Sequence, residues 1–143
     1  MVLIRSTRKE DIKAVAAIEQ ECFPPSLAYD EKDLKHILKR DYTCLVAIRF
    51  STVVGHLIAC VVEERAYLVS CGVVPAFRRQ RIGTQLLRQI QEMLPLPEFT
   101  AVVREDMLHA QLWLRSNHFV AVDILKGTYK DHDAYEMSWL RPD

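Results

Sequence analysis

The stretch from residue 66 to residue 104 constrains the fold more than any other part of the chain. "AYLVSCGVV", residues 66–74, is almost free of polar interruption, as expected of a strand buried on both faces. Beyond a loop, Ile82, Leu86, Ile90 and Met93 recur at helical spacing, with Leu87 and Leu94 alongside. That stripe predicts an amphipathic helix, which "LPLP" ends because proline has no N–H to continue it. "FTAVVR" follows as the next strand. A strand that returns through a helix lies parallel to the first, by a right-handed crossover. An α/β sheet with a parallel pair at its centre is therefore required.

The flanking segments fit around that unit. "VLIRS" reads as a first strand, and Thr7 and Glu10 stand at capping-box spacing before a helix carrying Ile12, Val15, Ala16 and Cys22. "CFPPS" stops this helix through Pro24 and Pro25, and a second begins at Asp30 with Leu34, Ile37 and Leu38 on one face. From Tyr42 to Val62, β-branched and alternating residues run through "YTCLVAIRF" and "VVGHLIACVV", joined at Ser51 and Thr52, which predicts an antiparallel hairpin. The polar bend "EER" leads into the central strand. After it, Asp106 is the expected cap of a helix "MLHAQLWLRSN", followed by strands "HFVAVDILKG" and "AYEMSWL". The predicted order is β-α-α-β-β-β-α-β-α-β-β. This is an α/β fold with a mixed, mostly antiparallel sheet of about six to seven strands and about four flanking helices. With 143 residues, half of them hydrophobic, residues 1–143 are expected to form a single domain.

Composition narrows the classes of function. Nineteen basic residues balance nineteen acidic ones, so charge gives no general attraction to nucleic acid or to anionic membrane. No apolar run approaches the roughly 18 residues of a membrane span. "MVLIRSTRKE" lacks the order of a secretion signal, and the expectation is a cytoplasmic protein. Cys22, Cys44, Cys60 and Cys71 are widely spaced with no C-x-x-C pair, which argues against a zinc site; no metal is expected. Cys44, Cys60 and Cys71 lie in apolar, strand-like runs and read as small buried hydrophobes.

Against this neutral background, Arg78, Arg79 and Arg81 gather in one short loop between the buried strand and the helix. The first N–H groups of a helix have no intrahelical partner, and the helix dipole favours negative charge there. Arginines add bidentate contacts to phosphate, and Gly83 permits close approach of the backbone. The spacing matches neither G-x-x-x-x-G-K-[ST] nor G-x-G-x-x-G, so the loop reads as a diphosphate site of another kind.

"VVPAFRRQRIGTQLL" resembles the acyl-CoA pyrophosphate loop of the GNAT superfamily of N-acyltransferases, Q/R-x-x-G-x-G/A after a "V-x-P" strand end. Arg78 fills the first position and Gly83 the last, and Arg81 stands where the first glycine is usual. Three further segments are similar to the branch that acetylates ribosomal-protein N-termini. "CFPPS" is similar to its "FP-x-P", "VVREDMLHAQLWLRSNHF" to its "EVR-x-SN...A-x-x-LY...GF", and "YKDHDAYEM" to its "YY-x-x-x-x-DA-x-x-M".

The resemblance implies a GNAT-like fold and acetyl-CoA as acyl donor. Backbone groups of Cys71 and Val73 would face the acyl and pantetheine parts, and Arg78, Arg79, Gln80, Arg81, Ile82, Gly83 and Thr84 would form the pyrophosphate loop. Phe23, Pro24 and Tyr129 would lie around the acceptor amine, with Tyr129 the candidate catalytic residue. It also exposes three departures: Val102 replaces the branch's glutamate, Leu114 its tyrosine and Met107 its asparagine. Tyr67, Glu63, Glu64, Tyr135, His109 and His118 are the other polar candidates. The expected function is an acetyl-CoA-dependent N-acetyltransferase acting by direct attack of an amine, with a protein or peptide N-terminus as preferred acceptor. Two alternatives stand beside it: a catalytically quiet acyl-CoA-binding module and a small-molecule amine acetyltransferase.

Overall fold

A computed structural model describes residues 2–143. Its elements are β1 (Leu3–Ser6), α1 (Ile12–Cys22), α2 (Glu31–Leu38), β2 (Tyr42–Arg49), β3 (Thr52–Val62), β4 (Arg65–Val73), α3 (Ile82–Met93), β5 (Glu98–Arg104), α4 (Leu108–Ser116), β6 (Val120–Tyr129) and β7 (His132–Leu140). The seven strands form one mixed sheet in the order β1-β2-β3-β4-β5-β7-β6. The β1–β2, β2–β3, β5–β7 and β6–β7 pairs are antiparallel and β4–β5 is parallel, as the crossover demanded. The chain divides into two compact units, residues up to 60 with 69–94, and residues 61–68 with 95–143.

The first unit is organised by helical and alternating apolar patterns that meet in one core. Ile12, Val15 and Ala16 of α1 bury with Leu34 and Ile37 of α2, Cys44 and Val46 of β2, and Ile58 of β3. On α3 the predicted stripe is real: Ile82, Leu86, Leu87 and Ile90 are all buried, each side chain contributing about 1.5–3 kcal/mol. The β2–β3 hairpin turns through Phe50 and Ser51, both with positive φ (53° and 60°), the backbone that a tight two-residue turn between twisted strands requires.

In the second unit, β5 and β7 pair from Glu98↔Leu140 to Arg104↔Ala134. Phe99, Ala101, Val103, Leu114, Phe119, Ala134 and Met137 are buried there, and the Phe99 and Trp139 rings meet edge to face at 5.6 Å. Two buried hydroxyls satisfy each other, Thr100 Oγ1 and Ser138 Oγ at 3.1 Å, and Ser138 also donates to Glu98 at 2.9 Å. Buried polar groups without such partners would cost roughly 1–3 kcal/mol each.

Two expected caps are replaced by other arrangements. Before α1 the working carboxylate is Asp11 rather than Glu10: it accepts the Arg8 N–H at 2.7 Å and a two-pronged contact from Arg5 at 2.7 and 3.0 Å. A 3₁₀ turn, Lys9–Asp11, occupies the place assigned to the capping box, and Thr7 donates its N–H to Cys44 O at 2.9 Å instead. Before α4 the cap position falls on Met107, because Asp106 is held by the Arg104 guanidinium at 2.6 and 3.1 Å. In both cases a carboxylate is taken up in a two-pronged arginine pair.

Candidate functional site

The loop between β4 and α3 is built by backbone rules. Val74 donates to Val54 O at 2.9 Å, tying the end of β4 to β3. Pro75 then opens a 3₁₀ turn, closed by Phe77 N–H on Val74 O at 2.8 Å and Arg78 N–H on Pro75 O at 3.2 Å. Arg79 and Arg81 both adopt left-handed backbone, with φ of 64° and 61°. Arg81 is the N-cap of α3, its side chain caps nothing, and the helical ladder begins with Gln85 N–H on Arg81 O at 2.9 Å. Ile82, Gly83 and Thr84 therefore present the first-turn N–H groups, which have no helical acceptor. Left-handed backbone at 81 accounts for the glycine usual at that position, since only glycine adopts it without a steric penalty.

Arg78, Arg79, Gln80 and Arg81, which lead into this helix start, are all exposed. Arg78 folds back on the strand end, its Nε donating to Val73 O at 3.3 Å and its Nη2 to Cys22 Sγ at 3.5 Å. Gln80 Oε1 accepts from Arg49 Nη1. Arg49, at the end of β2, adds a guanidinium to the loop that sequence reasoning missed. Its place follows from hairpin pairing and has no local signal. Open N–H groups, a dipole end and guanidinium groups together fit a diphosphate.

Behind the loop, β4 carries the two backbone positions assigned to acyl and pantetheine contacts. Its parallel ladder with β5 runs from Arg65↔Glu98 to Leu68↔Ala101, and β4 continues through Cys71 to Val73. Burial pushes the Cys71 thiol up to about 12, with Cys22 and Glu19 adding to the shift. The Cys71 thiol is thus buried although the residue as a whole keeps some exposure, as does Cys60, and only Cys44 is buried as a whole residue, as expected of all three. Gly72 lies between them under α1: a Cβ there would come 3.0 Å from Ile18 Cγ2 and 3.2 Å from Cys22 Sγ.

Phe23 and Pro24 belong to the same unit and follow Cys22, whose thiol lies 3.5 Å from Val73 O. Both are half-buried. Phe23 ends α1 with its N–H on Glu19 O at 3.0 Å, and Pro24 O accepts from Leu27 and Ala28 at 2.8 and 2.9 Å. Tyr129 lies in the second unit, half-buried at the end of β6 and paired in register with His132.

The departures from the branch's pattern take different places. Leu114 is a buried core residue. Val102 stands on β5 directly opposite Glu136 of β7, and Met107 is half-buried at the α4 cap. Of the other polar candidates, Tyr67 is half-buried beneath the Arg65 guanidinium, 5.7 Å from its ring centroid. Glu63 and Glu64 are exposed in the turn before β4, and His109 is exposed on α4. Tyr135 lies on β7 opposite Val103. His118, like Arg81, takes left-handed backbone (φ 70°) where a glycine is usual.

One buried polar cluster escaped sequence reasoning. Glu19, His56 and Ser70 are buried together, with His56 Nε2 at 2.7 Å and Ser70 Oγ at 2.6 Å from Glu19 Oε2. The signal was present: Ile12, Val15, Ala16 and Glu19 fall on one helical face, so the carboxylate sits on the buried stripe.

Among the described residues no three or more His, Cys, Asp or Glu side chains gather to hold a metal ion. No helix there is long and apolar enough to cross a membrane.

No curated protein is a significant match to the chain. Its architecture is similar to that of several solved structures. The ribosomal-protein-S18-alanine N-acetyltransferase of Escherichia coli is 25% identical, over 98% of this chain and 94% of that one, with a TM-score of 0.83. Ard1 of Thermoplasma volcanium is 21% identical over 99% of both chains, TM-score 0.88. The PaiA N-acetyltransferase of Thermoplasma acidophilum, in complex with coenzyme A, is 17% identical over 99% of both, TM-score 0.85. Residues 12–119 match the model of the Acetyltransferase (GNAT) family, and with most of the chain inside that match, the protein belongs to the GNAT acetyltransferase family.

Proposed function

We propose that this N-acetyltransferase passes the acetyl group of acetyl-CoA directly to the α-amine of a protein or peptide. The observation that carries the reading is the start of α3, where open N–H groups and an exposed arginine-rich loop follow the end of β4. In this reading, residues 78–84 hold the pyrophosphate, with Arg49 beside them through Gln80. Backbone groups of Cys71 and Val73 align the pantetheine arm, and N–H groups of β4 receive the developing oxyanion. Phe23 and Pro24 line the acceptor's approach, and Tyr129 is the catalytic candidate that the resemblance implies.

An α-amine as acceptor suits a site that lacks the branch's glutamate and tyrosine. With a pKa of about 7.7–8.0 it needs only about 1 kcal/mol to become neutral near pH 7, against roughly 4.6 kcal/mol for a lysine at about 10.4. A dedicated acid or base contributes typically about 100-fold to 10,000-fold, so turnover survives its absence at a lower rate. The similarity to an enzyme named for a ribosomal-protein alanine supports the acceptor class, and the coenzyme A bound to PaiA supports the donor.

A second reading, a catalytically quiet acyl-CoA-binding module, is favoured by one observation: Leu114, in the place of the branch's tyrosine, is a core residue. Thiol release from acetyl-CoA across α-amine peptides, polyamines and aminoglycosides separates the two. Release with peptides alone supports the proposal. Tight acetyl-CoA binding with no release from any amine overturns it in favour of the quiet module.

A further inference from the structure

The buried carboxylate of Glu19 has no part in the cofactor loop, yet it is the junction of three elements. Its backbone oxygen accepts the Phe23 N–H at 3.0 Å. Its Oε1 accepts the Tyr29 N–H at 3.1 Å. One residue therefore holds both ends of segment 23–29, whose middle is closed by Leu27 and Ala28 on Pro24 O. The other carboxylate oxygen takes Ser70 Oγ of β4 and lies 2.7 Å from His56 Nε2 of β3. His56 Nδ1 is buried without a hydrogen-bond partner, so the imidazole is anchored through Glu19. Ser70 immediately precedes Cys71.

A fully buried carboxylate is costly unless its oxygens are satisfied, and here the donors come from a loop and two strands. An apolar residue of similar volume would pack at this place with less desolvation. What it would not do is tie a loop to the strand beside it, because apolar contacts are non-directional and hydrogen bonds are not. We infer that Glu19 is a positioning residue for the acceptor: through the Tyr29 N–H and Ser70 it sets segment 23–29, with Phe23 and Pro24, against the Cys71 end of β4. This rests on the reading of Phe23 and Pro24 as the acceptor's approach.

The test is steady-state acetylation of an α-amine peptide by Glu19→Ala, Glu19→Asp and Glu19→Gln, with acetyl-CoA affinity measured separately. Glu19→Asp keeps the carboxylate but is one methylene too short to span Tyr29 and Ser70. Glu19→Gln keeps the length: its oxygen can accept the Tyr29 N–H, and its NH₂ can donate to the Ser70 hydroxyl, which turns to accept, and to His56 Nε2 in the neutral tautomer protonated at Nδ1. Expected is a fall of about tenfold or more in kcat/KM for the peptide in the Ala and Asp variants. Glu19→Gln should recover most of it, and acetyl-CoA affinity should stay within about twofold in all three. A purely structural role lowers melting temperature without moving the peptide KM.

Wild-type peptide kinetics in folded Glu19→Asp overturn the inference alone, as does an equal loss of acetyl-CoA affinity. If Glu19→Ala does not fold, the Asp and Gln pair decides. Absence of turnover in the wild-type protein overturns the acceptor reading itself, and this inference with it.

Discussion

Arg81 shows how a single backbone conformation leaves its mark on a motif. Left-handed φ costs a non-glycine residue roughly 1–2 kcal/mol, and the loop accepts that cost at both Arg79 and Arg81. Replacing Arg81 by glycine relieves the strain but gives the unfolded chain more freedom. Arg81→Gly is therefore expected to raise stability by about 0.5–1 kcal/mol in a denaturant titration. Acetyl-CoA affinity is expected to hold, because the first-turn N–H groups of α3 remain. A tenfold loss of affinity (about 1.4 kcal/mol) would instead assign the Arg81 guanidinium a phosphate contact. The cysteines give a second prediction. Burial pushes the Cys44 thiol up to about 11 and Cys71 up to about 12. At pH 8 the thiolate of Cys44 is then about one part in a thousand and that of Cys71 less. Both are expected to resist iodoacetamide in the folded protein, followed by mass spectrometry, and to react once it is unfolded.

Elements are placed by pairs of charges as much as by apolar stripes. Asp11, just before α1, sits below the usual carboxylate range because of the Arg5 hydrogen bonds, with the Arg8 N–H adding to the effect against a cost of burial. A carboxylate depressed on folding adds stability that is complete above its unfolded pKa and is lost as pH falls through its folded pKa. Asp11→Asn is therefore expected to melt below wild type at neutral pH, and the gap should close as the pH is lowered into the acid range. A gap that stays constant in melting curves from neutral to acid pH would show that the Arg5 pair is not its source. The same competition explains α4, where Arg104 takes Asp106 away from the cap. Helix periodicity was legible for α1, α2 and α3, and alternation for β2 and β3, because each is a repeat within one segment. Asp30 caps α2 where the second helix was expected to begin, accepting the Asp33 N–H at 2.8 Å, but the caps before α1 and α4 were not legible, since a neighbouring arginine pairs with the carboxylate in each case.

At the scale of the whole molecule, net charge is zero and basic groups gather only locally. Acetyl-CoA is expected to stabilise the protein by about 2.7 kcal/mol at a hundred times its dissociation constant, read as a rise in melting temperature. Added salt should weaken that rise, because the exposed guanidinium groups are screened. A salt-independent shift would argue against phosphate recognition by the arginines. Taken alone, the sequence determined the element order, the parallel pair and the arginine-rich loop between β4 and α3. These follow from local periodicity, proline positions and the handedness of a crossover, which need no knowledge of distant residues. Tertiary structure decided why glycine is usual at position 81, that Arg49 reaches Gln80, that Leu114 is core, and that Glu19 joins segment 23–29 to His56 and Ser70. Each of these joins residues far apart in the chain or rests on one backbone angle, and hydrogen bonds of that kind are set by three-dimensional approach, which no spacing in the sequence records.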